Sequence, residues 1–454
     1  MHGAAEGLWA PERRLLTCGL VLMVTLVASE TLAVATVLPV VSRQLGDLRL
    51  YGWVFSAFLL SSLVGIAVGG WVGDRSILSV PMVVGLTLFA AGLLLGGTAR
   101  SMPVLVVARA VQGLGGGVVP ATAYVAIGRD YPPETRPRMF AVLSTAWVVP
   151  GVAGPALAAA VSSAVGWRWV FLGLLPLVGA AAFLAVISLT SPPVGPRTAR
   201  PPLRPLAVTG VVAGAGLALA GLTATVPAWS LAALVAGTAL LLLSLRRLTP
   251  PGTLSAAPGL PATIANRGLL TFAFFAGDAY VPYSLTTVRH APTVIGGLAL
   301  TASTLTWTVG SWILDRRLAR WGTRAFVRAG ELCILTGFAL TVATLWPALP
   351  AAVGIASWSI AGFGMGLAYS PLSVTALAQA PTGQEGATTA SLQLTDVLGQ
   401  SLGTGAAGAA VAAGAHGLGV RTGAALAFAI GAVVGLVALG VGRRLPRAER
   451  APSA

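Results

Sequence analysis

GGWVGDR, residues 69–75, ends one long apolar block and precedes the next. The pattern returns as GSWILDR at residues 310–316, again between two apolar blocks, so that both read G-x-W-x-x-D-R. A weaker echo pairs RPRMFAVLSTAW, from Arg136, with EGATTASLQLTD, from Glu385; GVAGPALAAAV and QSLGTGAAGAAV follow in register. Internal repeats with apolar blocks between them mark a transporter-like chain of two related halves, with a site near the membrane midplane.

The composition agrees. Of 454 residues, 56% are hydrophobic and 9% charged, and the mean hydropathy is +0.86. A soluble domain carries roughly 25% charged residues, so this chain reads as an all-α polytopic membrane protein. All 28 basic residues are arginine, which a genome composition bias explains more simply than function does. The net charge of +15 is spread in ones, twos and threes between apolar blocks, a pattern of loop anchors rather than a nucleic-acid surface. Cys18 and Cys333 fall in apolar stretches and read as core residues, without a disulfide or metal cluster. The stretch MHGAAEGLWAPERR leads into a block too long for a signal peptide, so the first span is expected to be retained.

With about 20 apolar residues needed per crossing, fourteen blocks emerge, near 15–41, 52–73, 79–98, 103–127, 139–164, 167–190, 205–224, 228–245, 268–288, 293–314, 325–346, 351–377, 389–415 and 421–442. The middle pair, interrupted near ATVPAW, reads as two crossings, with a single re-entrant hairpin as the alternative. Placing both termini in the cytoplasm puts 21 arginines inside and six outside, with Arg109 inside a span; this bias sets the orientation. The expected organisation is a tail (1–14), a six-helix bundle (15–190), a linker with two extra transmembrane helices (191–263), a second six-helix bundle (264–442) and a tail (443–454).

These motifs together resemble the major facilitator superfamily, specifically its fourteen-span drug:proton antiporter group. GGWVGDR resembles the signature loop between spans two and three, with Gly70, Asp74 and Arg75 in place, although SILS replaces the usual continuation. RAVQGLGGG, from Arg109, resembles the fourth-span signature R-x-x-Q-G. PGVAGP, residues 150–155, resembles the antiporter signature of the fifth span and keeps Gly154 and Pro155, but has Pro150 where glycine is usual. GWRWVFLGLLP, from Gly166, resembles the start of the sixth span. The resemblance implies a major facilitator fold, alternating access by rocking of the two bundles, and an Arg109 that faces the first span.

Charged residues inside the blocks carry the functional reading. Glu30 lies near the middle of LVASETLAVATVLPVV, residues 26–41. Asp278 is equidistant from Arg267 and Arg289, at the centre of the ninth block. A charged acid at a helix centre costs roughly 2.5–3.5 kcal/mol on insertion scales, so it persists in a wet cavity, in a static ion pair, or as a proton carrier. Glu30 and Asp278 are the first candidates for proton coupling, with Arg109 tuning Glu30 and Asp396 as a third acid on a face with Gln393 and Gln400. The static pair stays open for each. Glu331 follows Arg328 by three residues and reads as a local pair or a snorkelling group. Gln112, one turn beyond Arg109, and Tyr124, Trp147, Tyr280, Trp307, Trp358 and Gln393 are candidates for substrate contact, with core or lipid packing as the alternative for each aromatic. Gly70, Asp74, Arg75, Gly154, Pro155, Asp315 and Arg316 are gating candidates; Asp74, Arg75, Asp315 and Arg316 are expected in short inside loops. Gly113, Gly115, Gly116 and Gly117 read as close helix packing.

No Walker loop, HExxH or nucleophile elbow is present in the sequence, so an enzyme or ATP-driven pump is not expected. The expected activity is proton-coupled export of small amphipathic or cationic compounds across the cell inner membrane by a functional monomer. Protons are the coupling ion; no other cofactor, and no nucleic-acid partner, is expected. A lipid or specialised-metabolite exporter, a symporting importer, and a non-transporting sensor or scaffold are the alternatives.

Overall fold

The computed structural model describes residues 9–10, 13–73, 76–132, 135, 138–139, 142–143, 146, 148–189, 205–224, 226–381 and 384–446. Asp74, Arg75 and Trp147 lie outside the described residues. Within them the chain is helical and without a strand. The helices are α1 (Arg14–Leu45), α2 (Tyr51–Gly73), α3 (Ser79–Gly97), α4 (Met102–Asp130), α5 (Val148–Ala164), α6 (Leu175–Ser188, after a short turn of helix at Arg168–Leu172), α7 (Pro205–Thr223), α8 (Pro227–Leu248), α9 (Leu260–Asp278), α10 (Thr293–Ala343), α11 (Val353–Ala378), α12 (Glu385–Ala413) and α13 (Val420–Val441).

Among the described residues, ten helical segments are long and apolar enough to cross a membrane. Their outer faces are the reverse of a soluble protein's. Phe183, Val186 and Ile187 on α6 and Leu231, Val235 and Leu243 on α8 all project outward. Such continuous exposed apolar surface is stable against hydrocarbon and not against water. The helices α9 and α12, which carry Arg267, Asp278 and Asp396, are not among the ten. Their polar residues lower the mean hydropathy that such a count rests on.

The chain divides into two compact units, one of residues 1–46 and 57–201, the other of residues 47–56 and 202–454. In the first, α2 and α4 approach to backbone contact. A Cβ on Gly113 would lie 2.2 Å from the Phe58 carbonyl oxygen, and one on Gly117 would lie 2.1 Å from that of Ser62. Glycines at these positions bring two backbones together where hydrocarbon offers no hydrophobic drive. In the second unit α7 and α8 form an antiparallel hairpin, and α12 packs along both α9 and α7.

Four differences from the sequence reading have physical causes. The helix α9 begins at Leu260, with Pro261 in its first turn, so Arg267 lies inside the helix and is 4% exposed rather than marking its cytoplasmic boundary. As a result Asp278 is the last residue of α9 and not the centre of a straight span. The chain turns at Ala279–Tyr280 and resumes as Val281–Tyr283 and a wide turn to Val288. Asp315 and Arg316 lie within the helical run of α10 rather than in a loop. The first residue to leave helical geometry is Gly322, at φ 75°, a value glycine adopts without strain. Cys18 faces outward on α1 and is no core residue; Cys333 is half-buried.

Candidate functional site

In the first unit, α1 and α4 bring Glu30 and Arg109 together. Arg109 Nη1 donates to Glu30 Oε1, and both residues are 1% exposed. Arg109 also donates to Gln112 Oε1 at 2.6 Å, one turn along its own helix. Its guanidinium lies 4.3 Å from the centre of the Phe58 ring, a cation–π contact that strengthens when water is excluded. The second carboxylate oxygen of Glu30, Oε2, is buried and accepts no hydrogen bond. A charge pair removed from water is held only when its remaining lone pairs and protons are satisfied. Gln112 Nε2, a donor beside the pair, is likewise buried without a hydrogen-bond partner.

In the second unit, Asp278 sits where α9 ends. Trp358 of α11 is fully buried and donates its indole N–H to Asp278 Oδ1 at 2.8 Å. Gly277 makes room for this contact, since a Cβ there would lie 2.3 Å from Trp358 Cη2. Phe274 stacks on Trp358 at 5.3 Å and meets Trp307 edge-on at 5.7 Å, and Trp307 meets Tyr369 at 5.4 Å. Tyr280 is buried and donates to the Thr404 carbonyl at 2.7 Å. Two of the aromatics singled out in the sequence, Trp307 and Trp358, thus belong to one packed tier of the second unit, while the Tyr280 ring packs on Tyr51 at 5.2 Å.

The third acid, Asp396, is engaged on both oxygens. Arg267 Nε donates to Oδ1 at 2.9 Å, and the Tyr369 hydroxyl donates to Oδ2 at 3.1 Å, with Gln400 Nε2 farther off at 3.4 Å. Arg267 Nη1 donates to the Tyr369 carbonyl at 2.7 Å, while its guanidinium carbon lies 3.1 Å from the centre of that ring. Sequence reasoning placed Arg267 outside the membrane and did not single out Tyr369. The signal for Arg267 was present: an embedded aspartate needs a cation, and Arg267 directly precedes the apolar run of α9.

The remaining candidates are more scattered. Tyr124 is exposed on α4, and Gln393 is half-buried one turn before Asp396. Gly154 and Pro155 lie within α5, where a Cβ on Gly154 would still be 3.9 Å from Leu32. Gly70 is open to a Cβ on α2. Glu331 is no snorkelling group, and Arg328 acts on it through its charge without a contact-distance ion pair. Glu331 is 2% exposed and accepts from Asn266 Nδ2 of α9 at 2.9 Å, because α9 and α13 close over it.

Each unit holds an acid bound to a buried arginine, Glu30 with Arg109 and Asp396 with Arg267. The profile of the Major Facilitator Superfamily covers residues 18–404. The chain belongs to the Major Facilitator Superfamily. It is a multi-pass membrane transporter and not an enzyme. Among curated relatives, a probable multidrug-efflux transporter of Mycobacterium tuberculosis is 27% identical over 93% of this chain and 94% of its own length. The multidrug transporter protein MdtP of Bacillus subtilis is 25% identical over 86% of this chain and 74% of its own. Among solved structures, the D-xylose–proton symporter covers 96% of this chain and 98% of its own at a TM-score of 0.67 and 14% identity. A POT family transporter in complex with 5-aminolevulinic acid covers 95% and 96% at a TM-score of 0.68 and 13% identity. At such identities these structures speak for the superfamily fold alone.

Proposed function

We propose that this protein exports small amphipathic or cationic compounds in exchange for protons, by alternating access, with fourteen spans and both termini in the cytoplasm of a cell whose inner membrane it occupies. The observation that carries this reading is the Glu30–Arg109 pair, buried and lacking one donor at Glu30 Oε2. An ionised Glu30 balances Arg109, and a protonated Glu30 releases it; a carboxylate held between these two terms is suited to take up and give up a proton. Asp278 is the second candidate carrier. Asp396, bonded on both oxygens, fits an ionised anchor better than a carrier. The multidrug-efflux relatives support export as the direction and drug-like compounds as the cargo.

The test is flux in proteoliposomes of the purified full chain under an imposed pH gradient, with a lipophilic fluorescent cation as cargo. Accumulation that follows the gradient and collapses with a protonophore is the expected result. Equal movement with and without the gradient sinks proton coupling, and no movement of any amphipathic probe sinks export of this cargo class.

A further inference from the structure

A cluster separate from these acids lies where α9, α10 and α13 meet. Asn266 Nδ2 makes two hydrogen bonds, to Glu331 Oε1 and to the Ala438 carbonyl, each at 2.9 Å. These spend both amide hydrogens, and the Ala438 carbonyl fixes which way the amide points, since its oxygen accepts and does not donate. Two oxygens remain, Glu331 Oε2 and Asn266 Oδ1. Both are buried without a hydrogen-bond partner, in residues 2% and 0% exposed. Two acceptors cannot satisfy one another. A proton on Glu331 Oε2 turns one of the two into a donor.

We propose that Glu331 binds a proton as a neutral carboxylic acid and donates it from Oε2 to Asn266 Oδ1, closing a two-bond acid–amide ring that joins α9 to α10. The proton comes from water, and the balancing charge stays with the medium. The surroundings are consistent with a neutral group. Arg328, one turn earlier on α10, acts on Glu331 through its charge but does not come within ion-pair distance, and its Nε is buried without a hydrogen-bond partner. Three other cations on or beside these elements bond elsewhere. Arg267 of α9 binds Asp396; Arg324 donates to the Leu445 carbonyl, and Arg444, beyond α13, to the carbonyls of Ser255 and Ala256. Arg443 lies in the same final turn, and α11 carries no charged residue. The backbone at Gly442 lies over the acid, so close that a Cβ there would sit 3.0 Å from Oε2. Water has little room beside it.

The experiment is infrared difference spectroscopy of the purified full chain in lipid at neutral pH, comparing the wild type with Glu331→Gln, together with thermal unfolding of both. A protonated-carboxyl C=O band that is present in the wild type and lost in Glu331→Gln is the expected result. Glutamine keeps a ring with Asn266, so the melting temperature should stay within about 2 °C, the shift that roughly 1 kcal/mol produces in a large domain. A difference spectrum holding only ionised-carboxylate bands overturns the proposal. So does a Glu331→Gln chain that melts much earlier or fails to fold, because that outcome means Glu331 is an anion on which Arg328 depends. A control with Asn266→Leu should move the acid band in frequency; an unmoved band overturns the ring. Stabilisation of the wild type, but not of Glu331→Gln, by sodium would make the site a metal-cation site and overturn it equally.

Discussion

Trp358 donates its indole N–H to Asp278 Oδ1 at 2.8 Å, although Trp358 itself has no solvent exposure. The relationship joins α11 to the point where α9 breaks. It places a proton-coupling candidate at the edge of an aromatic tier that runs from Phe338 and Phe274 to Trp307 and Tyr369.

Replacing that donor tests how Asp278 is used. Trp358→Phe keeps a ring in the tier but leaves Oδ1 without its hydrogen bond. Hydrogen bonds to charged groups contribute about 1.5–3 kcal/mol net, so thermal unfolding should show a loss of about that size. Proton-driven flux should fall further than stability does, since the charged stage of Asp278 loses the indole hydrogen bond that supports it. Flux and melting temperature both equal to the wild type's would show that the contact has no part in the cycle.

The Arg267–Asp396 pair should behave as an anchor. Arg267→Met leaves a buried carboxylate with no cation, a change that costs about 3–5 kcal/mol. Asp396→Asn strands Arg267 in the same way. The double variant Arg267→Met/Asp396→Asn should regain most of the loss, because neither charge is then left alone. Unfolding of the four proteins in one detergent closes the cycle; additive losses would mean that the two residues do not act on one another.

Much of this molecule was readable before any coordinates. Hydrocarbon leaves a spanning chain few options, so among the described residues the long apolar blocks are carried by helices, the ninth broken after Asp278, and the glycine run after Arg109 lies at a backbone contact. The meeting of Arg109 with Glu30 was implied by the resemblance of RAVQGLGGG to a known signature, not by spacing. What escaped the reading were pairings between helices far apart in sequence. Arg267 looked like a flanking residue because a charge ahead of an apolar run usually is one. Glu331 looked local because Arg328 lies at helical spacing, whereas its partner, Asn266, is an uncharged residue on another helix. A contact set by packing leaves no periodic trace in either segment.

The insert between the two halves carries its own prediction. Helices α7 and α8 pack as a hairpin through Gly214, Gly221 and Gly237, where a Cβ would lie 2.5, 2.6 and 2.3 Å from backbone nitrogen atoms of the opposite helix. If both cross, reporter fusions after Arg204 and after Arg247 read cytoplasmic, and one near Pro227 reads outside. A cytoplasmic reading near Pro227 reduces the insert to a re-entrant hairpin and the count to twelve.

Glu30 provides the most discriminating test. Glu30→Gln fixes the side chain in a form that resembles its protonated state. If Glu30 carries the proton, net transport driven by a pH gradient should be abolished, while exchange of cargo without net proton movement survives. The fold should hold, because an arginine that is released from Glu30 once in every cycle must already have other support. Gln112 Oε1 at 2.6 Å and the Phe58 ring at 4.3 Å supply part of it. Glu30→Asp should retain partial flux, since the titrating group remains but is drawn back by one methylene. A static pair makes the opposite forecast. Removing one partner of a buried ion pair costs about 3–5 kcal/mol, so Glu30→Gln would then melt early or express poorly, and Glu30→Asp would suffer with it. The deciding measurement pairs thermal unfolding with gradient-driven flux on the same preparation. A stable Glu30→Gln protein without gradient-driven flux assigns the proton to Glu30; an unstable one makes the residue a strut; a stable one with undiminished flux removes it from both roles.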